Sequence, residues 1–231
     1  MNLATLQFHS PSLHRHVSYS VILPEGQKGP APVLMQLHGY SDDHTAWLHF
    51  SNLIRHARPY PFIIVLPDGG TSYYLNLNEA NRYEDFLMQD IYDHVSATFQ
   101  VRPGPWAIGG LSMGGFGAMR LGLRYPDRFA SVWGHSSALL DRDELLMRLG
   151  VDQEPDIYAI AAGAAQRPNG PVISFDCGTE DFLIEHNRRF HAHLEALGVA
   201  HTYREHPGAH TWEYWDEHVK AALAQHAAVL G

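Results

Sequence analysis

Residues 108–117 read I-G-G-L-S-M-G-G-F-G, five glycines around one serine. The pattern G-x-S-x-G falls at Gly110-Leu111-Ser112-Met113-Gly114. A serine becomes a usable nucleophile when a strained turn between a strand and a helix pushes its hydroxyl clear of the backbone. Side chains two residues to either side would collide in such a turn, which asks for glycine at both places. A helix starting at once behind the serine turns its positive end toward developing negative charge. A phosphate-cradling loop does not fit, because no G-K-[ST] follows and the spacing is not G-x-G-x-x-G. The plain alternative is a tight glycine turn with an incidental serine.

Serine needs a base, and the base needs an acid to orient it. For a nucleophile in a strand–turn–helix these follow in the order Ser, Asp, His. After the run GPVISFDCG, the form G-x-x-D places Asp181 in the next loop; Asp176 inside the run and Glu180 one step away are its competitors. HPGAHTWEYW then delivers His210 from a Pro/Gly loop just before a helix, with His206 and His135 as weaker candidates. The amide of Met113, next to the nucleophile, is the expected first oxyanion donor. The segment LHGYSDDHTAW supplies the second expected donor, the amide of Tyr40 after Gly39. Candidate substrate contacts are His38, Tyr73, Tyr74, Asn76 and Trp212. For His38 the competing roles are shaping its loop or binding a metal. For Trp212 and its neighbour Trp215 the competing role is packing the last helix.

These residues have to be positioned, and the chain has a rhythm that can do it. Strand-like runs fall at 16–24, 31–39, 61–69, 106–112, 131–137, 170–178 and 201–208. Several are nearly continuous in apolar residues, as suits strands covered on both faces. Helical spacing falls between them, at 81–99, 116–125, 184–197 and 212–229. Alternation of strand and helix predicts an α/β fold with a mostly parallel sheet and helices on both faces. Residues 138–169 break the alternation and are expected to form a small helical cap within a single domain, 1–231.

Bulk properties exclude other classes. The chain has 231 residues, 45% hydrophobic and 18% charged, which suits a folded domain. A net charge of −9 argues against nucleic acid as a partner. The 17 histidines include no H-E-x-x-H helix, so no metal is expected. Cys177 is the only cysteine, which fits a reducing compartment. The opening MNLATLQFHSPSLHRH lacks a basic stretch followed by an apolar run, and no apolar run approaches membrane-spanning length. The expectation is therefore cytoplasmic, with no membrane partner. A homodimer through a sheet edge or the cap stays open.

GLSMGGFGAM, LHGYSDDHTAW, CGTEDFLIEHNRRF and GAHTWEYWDEH together resemble the putative esterase family of α/β-hydrolases. VLPDGGTSYYLN and RYEDFLMQDI bring the resemblance nearest to the small bacterial carboxylesterases. The resemblance implies an α/β-hydrolase fold, no cofactor, Ser112 as nucleophile, Asp181 as acid, His210 as base, and Tyr40 and Met113 as oxyanion amides. It implies a serine esterase acting on small short-chain acyl esters. Acyl transfer to a sugar or alcohol, and thioester hydrolysis of the S-formylglutathione type, use the same residues. His38 departs from the serine that S-formylglutathione hydrolases carry at that place.

Overall fold

Strands with almost no polar residues need cover on both faces, and the fold supplies it. The structure is a computed structural model that describes residues 1–150, 152, 156–167 and 169–231. The strands are β1 (Asn2–Ser10), β2 (Arg15–Leu23), β3 (Val33–Leu37), β4 (Ile63–Pro67), β5 (Trp106–Leu111), β6 (Phe129–His135), β7 (Val172–Gly178) and β8 (Thr202–His206). They form one sheet in the order β1-β2-β4-β3-β5-β6-β7-β8. β1 and β2 are antiparallel to their neighbours, and β4 to β8 run parallel. This is the α/β-hydrolase arrangement, and it collects the C-terminal ends of six strands on one edge.

Alternate residues of β3 and β4 feed two separate cores. Val33, Met35, Leu37, Ile63 and Val65 join one, while Leu34, Ile64 and Leu66 join the other. The second face is covered by α1 (Ala46–His49), α2 (Leu53–Ala57) and α9 (Trp212–Leu230), through Trp47, Leu53, Trp215, Val219 and Leu223. The first is covered by α3 (Tyr83–Asp85), a π-helical turn (Phe86–Ile91), α4 (Tyr92–Thr98), α5 (Met113–Arg124), α7 (Ile157–Ala164) and α8 (Ile184–Ala196). Phe86 and Ile91 stand five residues apart and are both fully buried. An α-helix would send them to different sides, whereas a π turn aligns them.

The expected elements differ from the observed ones in three places. β1 is an additional strand on the sheet edge; its partly covered, alternating surface leaves only a weak apolar pattern. The short helices α1 and α2 are also additional. Residues 138–169 hold two helices with different attachments. α6 (Arg142–Leu149) opens on a capping box between Asp141 and Glu144, ends on left-handed Gly150, and buries only Leu145. α7 buries Ile157, Ile160 and Ala161 in the main core, so this part of the segment is anchored to the layer beneath it. Val151, Gln153, Glu154, Pro155 and Pro168 of the expected cap lie outside the described residues.

A polar knot ties the sheet to α9 just below the loop edge. Asp176 of β7 is fully buried and accepts from Trp133 Nε1 (2.6 Å), His135 Nδ1 (2.8 Å) and Tyr214 Oη (2.9 Å). Burial alone would raise this carboxyl, but His135, Trp133 and Tyr214 together hold it below the usual range. A depressed native pKa gives stability that is present above the ordinary carboxylate value and lost as pH falls through the native one. Asp176→Asn is therefore expected to lower unfolding stability by about 3 kcal/mol at pH 7. Denaturant titrations should show the wild-type advantage shrinking below about pH 4.

Candidate active site

The parallel edge brings together residues that lie far apart in the chain. Ser112 sits between β5 and α5 with φ 54° and ψ −116°, a conformation that side-chain-bearing residues rarely adopt. Its N–H donates to the carbonyl of His135 at 2.9 Å, and its carbonyl accepts from Phe116 and Ala138, both at 3.0 Å. The two pattern glycines are needed for different contacts. A Cβ on Gly110 would stand 2.4 Å from the Gly114 carbonyl oxygen, and a Cβ on Gly114 would stand 2.6 Å from the carbonyl oxygens of Leu37 and His38. The second glycine is thus required by the end of β3, not by the turn itself.

His210 reaches this serine from the loop after β8. Its Nε2 lies 3.0 Å from Ser112 Oγ, and its Nδ1 lies 2.8 Å from Asp181 Oδ2. Asp181 is buried, and its other oxygen accepts the Leu183 N–H at 2.8 Å. With Nδ1–H given to the carboxylate, Nε2 presents a lone pair to the serine hydroxyl. The acid and base loops are joined directly. Thr179 N–H donates to His206 O (2.9 Å) and Glu180 N–H to Gly208 O (3.0 Å). They cross so closely that a Cβ on Gly178 would meet the Gly208 carbonyl at 2.1 Å.

The competing acids and bases are engaged elsewhere. Asp176 and His135 belong to the buried knot below the edge. Glu180 is exposed and turned to the Gly208 amide. The His206 ring stacks on His218 at 4.2 Å. Among the described residues, no group of three or more His, Cys, Asp or Glu is placed to hold a metal ion. No helix among them is long and apolar enough to cross a membrane.

Ser112 and His210 open into a pocket of about 800 Å³. Tyr73 and Trp212, two of the expected substrate contacts, line it, and so does Tyr40, expected only for its amide. Three other expectations need correction. His38 is buried, its Nδ1 paired with Gly39 O (2.7 Å) and its Nε2 accepting from Gly69 N–H (2.8 Å). Nδ1 is spent within its own loop and Nε2 on joining the loops after β3 and β4, so His38 does not line the pocket. Tyr74 is also buried and donates to His38 O at 3.0 Å. Asn76 is exposed and accepts from the Asp85 amide at 3.2 Å, away from the lining. The 39–40 turn does lie beside the nucleophile, since a Cβ on Gly39 would come 3.8 Å from Ser112 Cβ.

Several lining residues carried no sequence signal of their own. Phe182 is 73% exposed and its ring lies 4.5 Å from that of His210. Leu140 and Arg148 enter from the 138–169 segment, and Phe50 from the end of α1. Trp215 takes both of the roles weighed for it. It packs in the core under α9 and sets its ring edge-on to His210 at 4.8 Å.

Known proteins resemble this chain in sequence and in shape. The family model described as "Putative esterase" matches residues 10–226. The chain is 27% identical to an acetyl esterase of Caldicellulosiruptor saccharolyticus, over 96% of this chain and 97% of that one. Among solved structures, it is similar to the fluorophosphonate-binding serine hydrolase F of Staphylococcus aureus, with TM-score 0.89, 27% identity and 98% of both chains covered. It also resembles an S-formylglutathione hydrolase of Staphylococcus aureus, with TM-score 0.87, 28% identity, and 98% and 100% of the two chains covered. The chain belongs to the putative esterase family and is a carboxylic ester hydrolase built on the α/β-hydrolase fold.

Proposed function

We propose that this esterase cleaves short-chain acyl esters through Ser112, His210 and Asp181 by way of an acyl-enzyme. The observation that carries the reading is the relay from Asp181 Oδ2 through His210 to Ser112 Oγ, at 2.8 and 3.0 Å. Ser112 Oγ attacks the acyl carbon as His210 Nε2 takes its proton. Asp181 keeps Nδ1–H in place and offsets the charge of the imidazolium. The amides of Tyr40 and Met113 are the proposed donors to the tetrahedral oxyanion, the second at the open end of α5, where helix N–H groups lack partners. His210 then protonates the departing alkoxide, and water repeats the cycle on the acyl-enzyme. The acetyl esterase relative supports a small acyl group.

Thioester hydrolysis is a second reading, favoured by likeness to the S-formylglutathione hydrolase structure. It needs the same residues, and rates on matched oxygen and sulfur esters separate the two.

Ser112→Ala is expected to lower kcat by on the order of 10⁶-fold. Asp181→Asn should lower it by roughly 10⁴-fold, through loss of the working tautomer. Stopped-flow hydrolysis of p-nitrophenyl acetate should give a burst equal to the enzyme concentration, absent in Ser112→Ala. A burst of equal size in that variant would sink the nucleophile assignment. Across p-nitrophenyl esters, kcat/KM should be highest between acetyl and butyryl. A maximum beyond about eight carbons would overturn the short-chain preference.

A further inference from the structure

The pocket has two unlike walls. One is aromatic: Trp212 packs 5.5 Å from Phe50 and 5.3 Å from Trp215, between ring centroids. The other carries a cation. The Arg148 guanidinium carbon lies 4.9 Å from the Tyr40 ring centroid and 5.4 Å from that of Tyr73. Tyr40 and Tyr73 are themselves in contact, 5.9 Å apart, so the guanidinium lies against a paired phenol surface. Contacts of this kind hold the planar group in one orientation without using its N–H donors.

Among the described residues, no acidic side chain forms an ion pair with Arg148. Two of the carboxylates at the start of its own helix are taken by another arginine: Arg189 pairs with Glu144 at 2.8 Å and approaches Asp141 at 3.6 Å. Two carboxylates, those of Asp42 and Glu213, also line the pocket, and neither forms an ion pair with Arg148. Asp42 lies against the Gly39 turn, 3.1 Å from where a Cβ of Gly39 would be. Glu213 is in the first turn of α9, beside Trp212 on the aromatic wall. A cation in the last turn of a helix also suits the helix dipole. The dipole alone does not require the side chain to fold across two tyrosines into the wall shared with Ser112.

We propose that Arg148 is a specificity residue that selects esters bearing a carboxylate a few bonds from the scissile carbonyl. The guanidinium fork matches a carboxylate in a two-point contact, and such charge-assisted pairs are the stronger class of hydrogen bond. The proposal rests on the esterase reading above. It adds a substrate class: half-esters of dicarboxylic acids, or esters of a hydroxy or phenolic acid, depending on which side of the ester bond faces Arg148.

Two matched pairs distinguish these sources. p-Nitrophenyl hydrogen glutarate against p-nitrophenyl valerate places the carboxylate or a methyl group on the acyl side. 4-Acetoxybenzoate against 4-methylphenyl acetate does the same on the alcohol side. For each pair the readout is the ratio of kcat/KM, acidic over neutral, compared between wild type and variants so that intrinsic reactivity cancels. In one pair this ratio should fall about tenfold in Arg148→Gln, recover in part in Arg148→Lys, and fall further in Arg148→Glu. Added salt should lower the wild-type ratio in that pair. Ratios unchanged across all three variants in both pairs would overturn the assignment while leaving the esterase reading intact. Failure of folded wild type to hydrolyse any of the four esters would overturn both.

Discussion

The left-handed backbone at Ser112 is the constraint on which the site depends. A non-glycine residue at φ 54° stores on the order of 1–3 kcal/mol of strain. The surrounding structure prevents its release. The Ser112 N–H is fixed to the end of β6, and its carbonyl is fixed to α5 and to the start of the next segment. Relaxing the turn would break these bonds and pull α5 away from β3, where Gly114 already touches the backbone. The strain is maintained by the parallel sheet, because β3, β5 and β6 end side by side.

The same edge explains why the acid and base meet the serine. Ser112 and His210 are separated by 98 positions. Their distance in space is set by the parallel pairing of β7 with β6 on one side and β8 on the other. The close crossing of Gly178 and Gly208 and the two hydrogen bonds beside it tie the loops that carry Asp181 and His210 to each other. The rings of Phe182 and Trp215 pack against the imidazole, with centroids 4.5 and 4.8 Å from it.

The relay was legible in the sequence because each member is tied to a strand end, and strand ends can be read from apolar runs and glycines. The lining was not, because it depends on which way a side chain leaves its loop. Tyr73 and Tyr74 show this. Both have positive φ, 54° and 57°, which no alternation rule anticipates. One ring meets Tyr40 at the pocket, while its neighbour goes into the core and bonds to His38. His38 was legible as a residue at the right loop, but not its two backbone partners, one of them 31 positions away. Arg148 is one of two arginines on a polar helix. Only the fold places it over two tyrosines from distant loops. β1 escaped because an edge strand has solvent on part of its surface and needs little apolar pattern.

Two aspartates five positions apart illustrate how environment assigns roles to one functional group. Asp176 and Asp181 are both buried, and both face a histidine Nδ1 at 2.8 Å. Distance to a histidine therefore does not separate them. What differs is how the remaining lone pairs are used. Asp176 receives Trp133 and His135 from β6 and Tyr214 from α9, and lies below the edge, where no substrate reaches. Its charge is committed to holding β6, β7 and α9 together. Asp181 gives one oxygen to the Leu183 amide and keeps the other for His210 alone. That amide fixes the plane of the carboxylate without competing for the imidazole. In the proposed mechanism an imidazolium at His210 meets a carboxylate already oriented by that amide. An imidazolium at His135 would meet an equally strong anion, but its Nε2 is buried with no hydroxyl to deprotonate. The chemistry follows from which histidine the fold points at the strained serine.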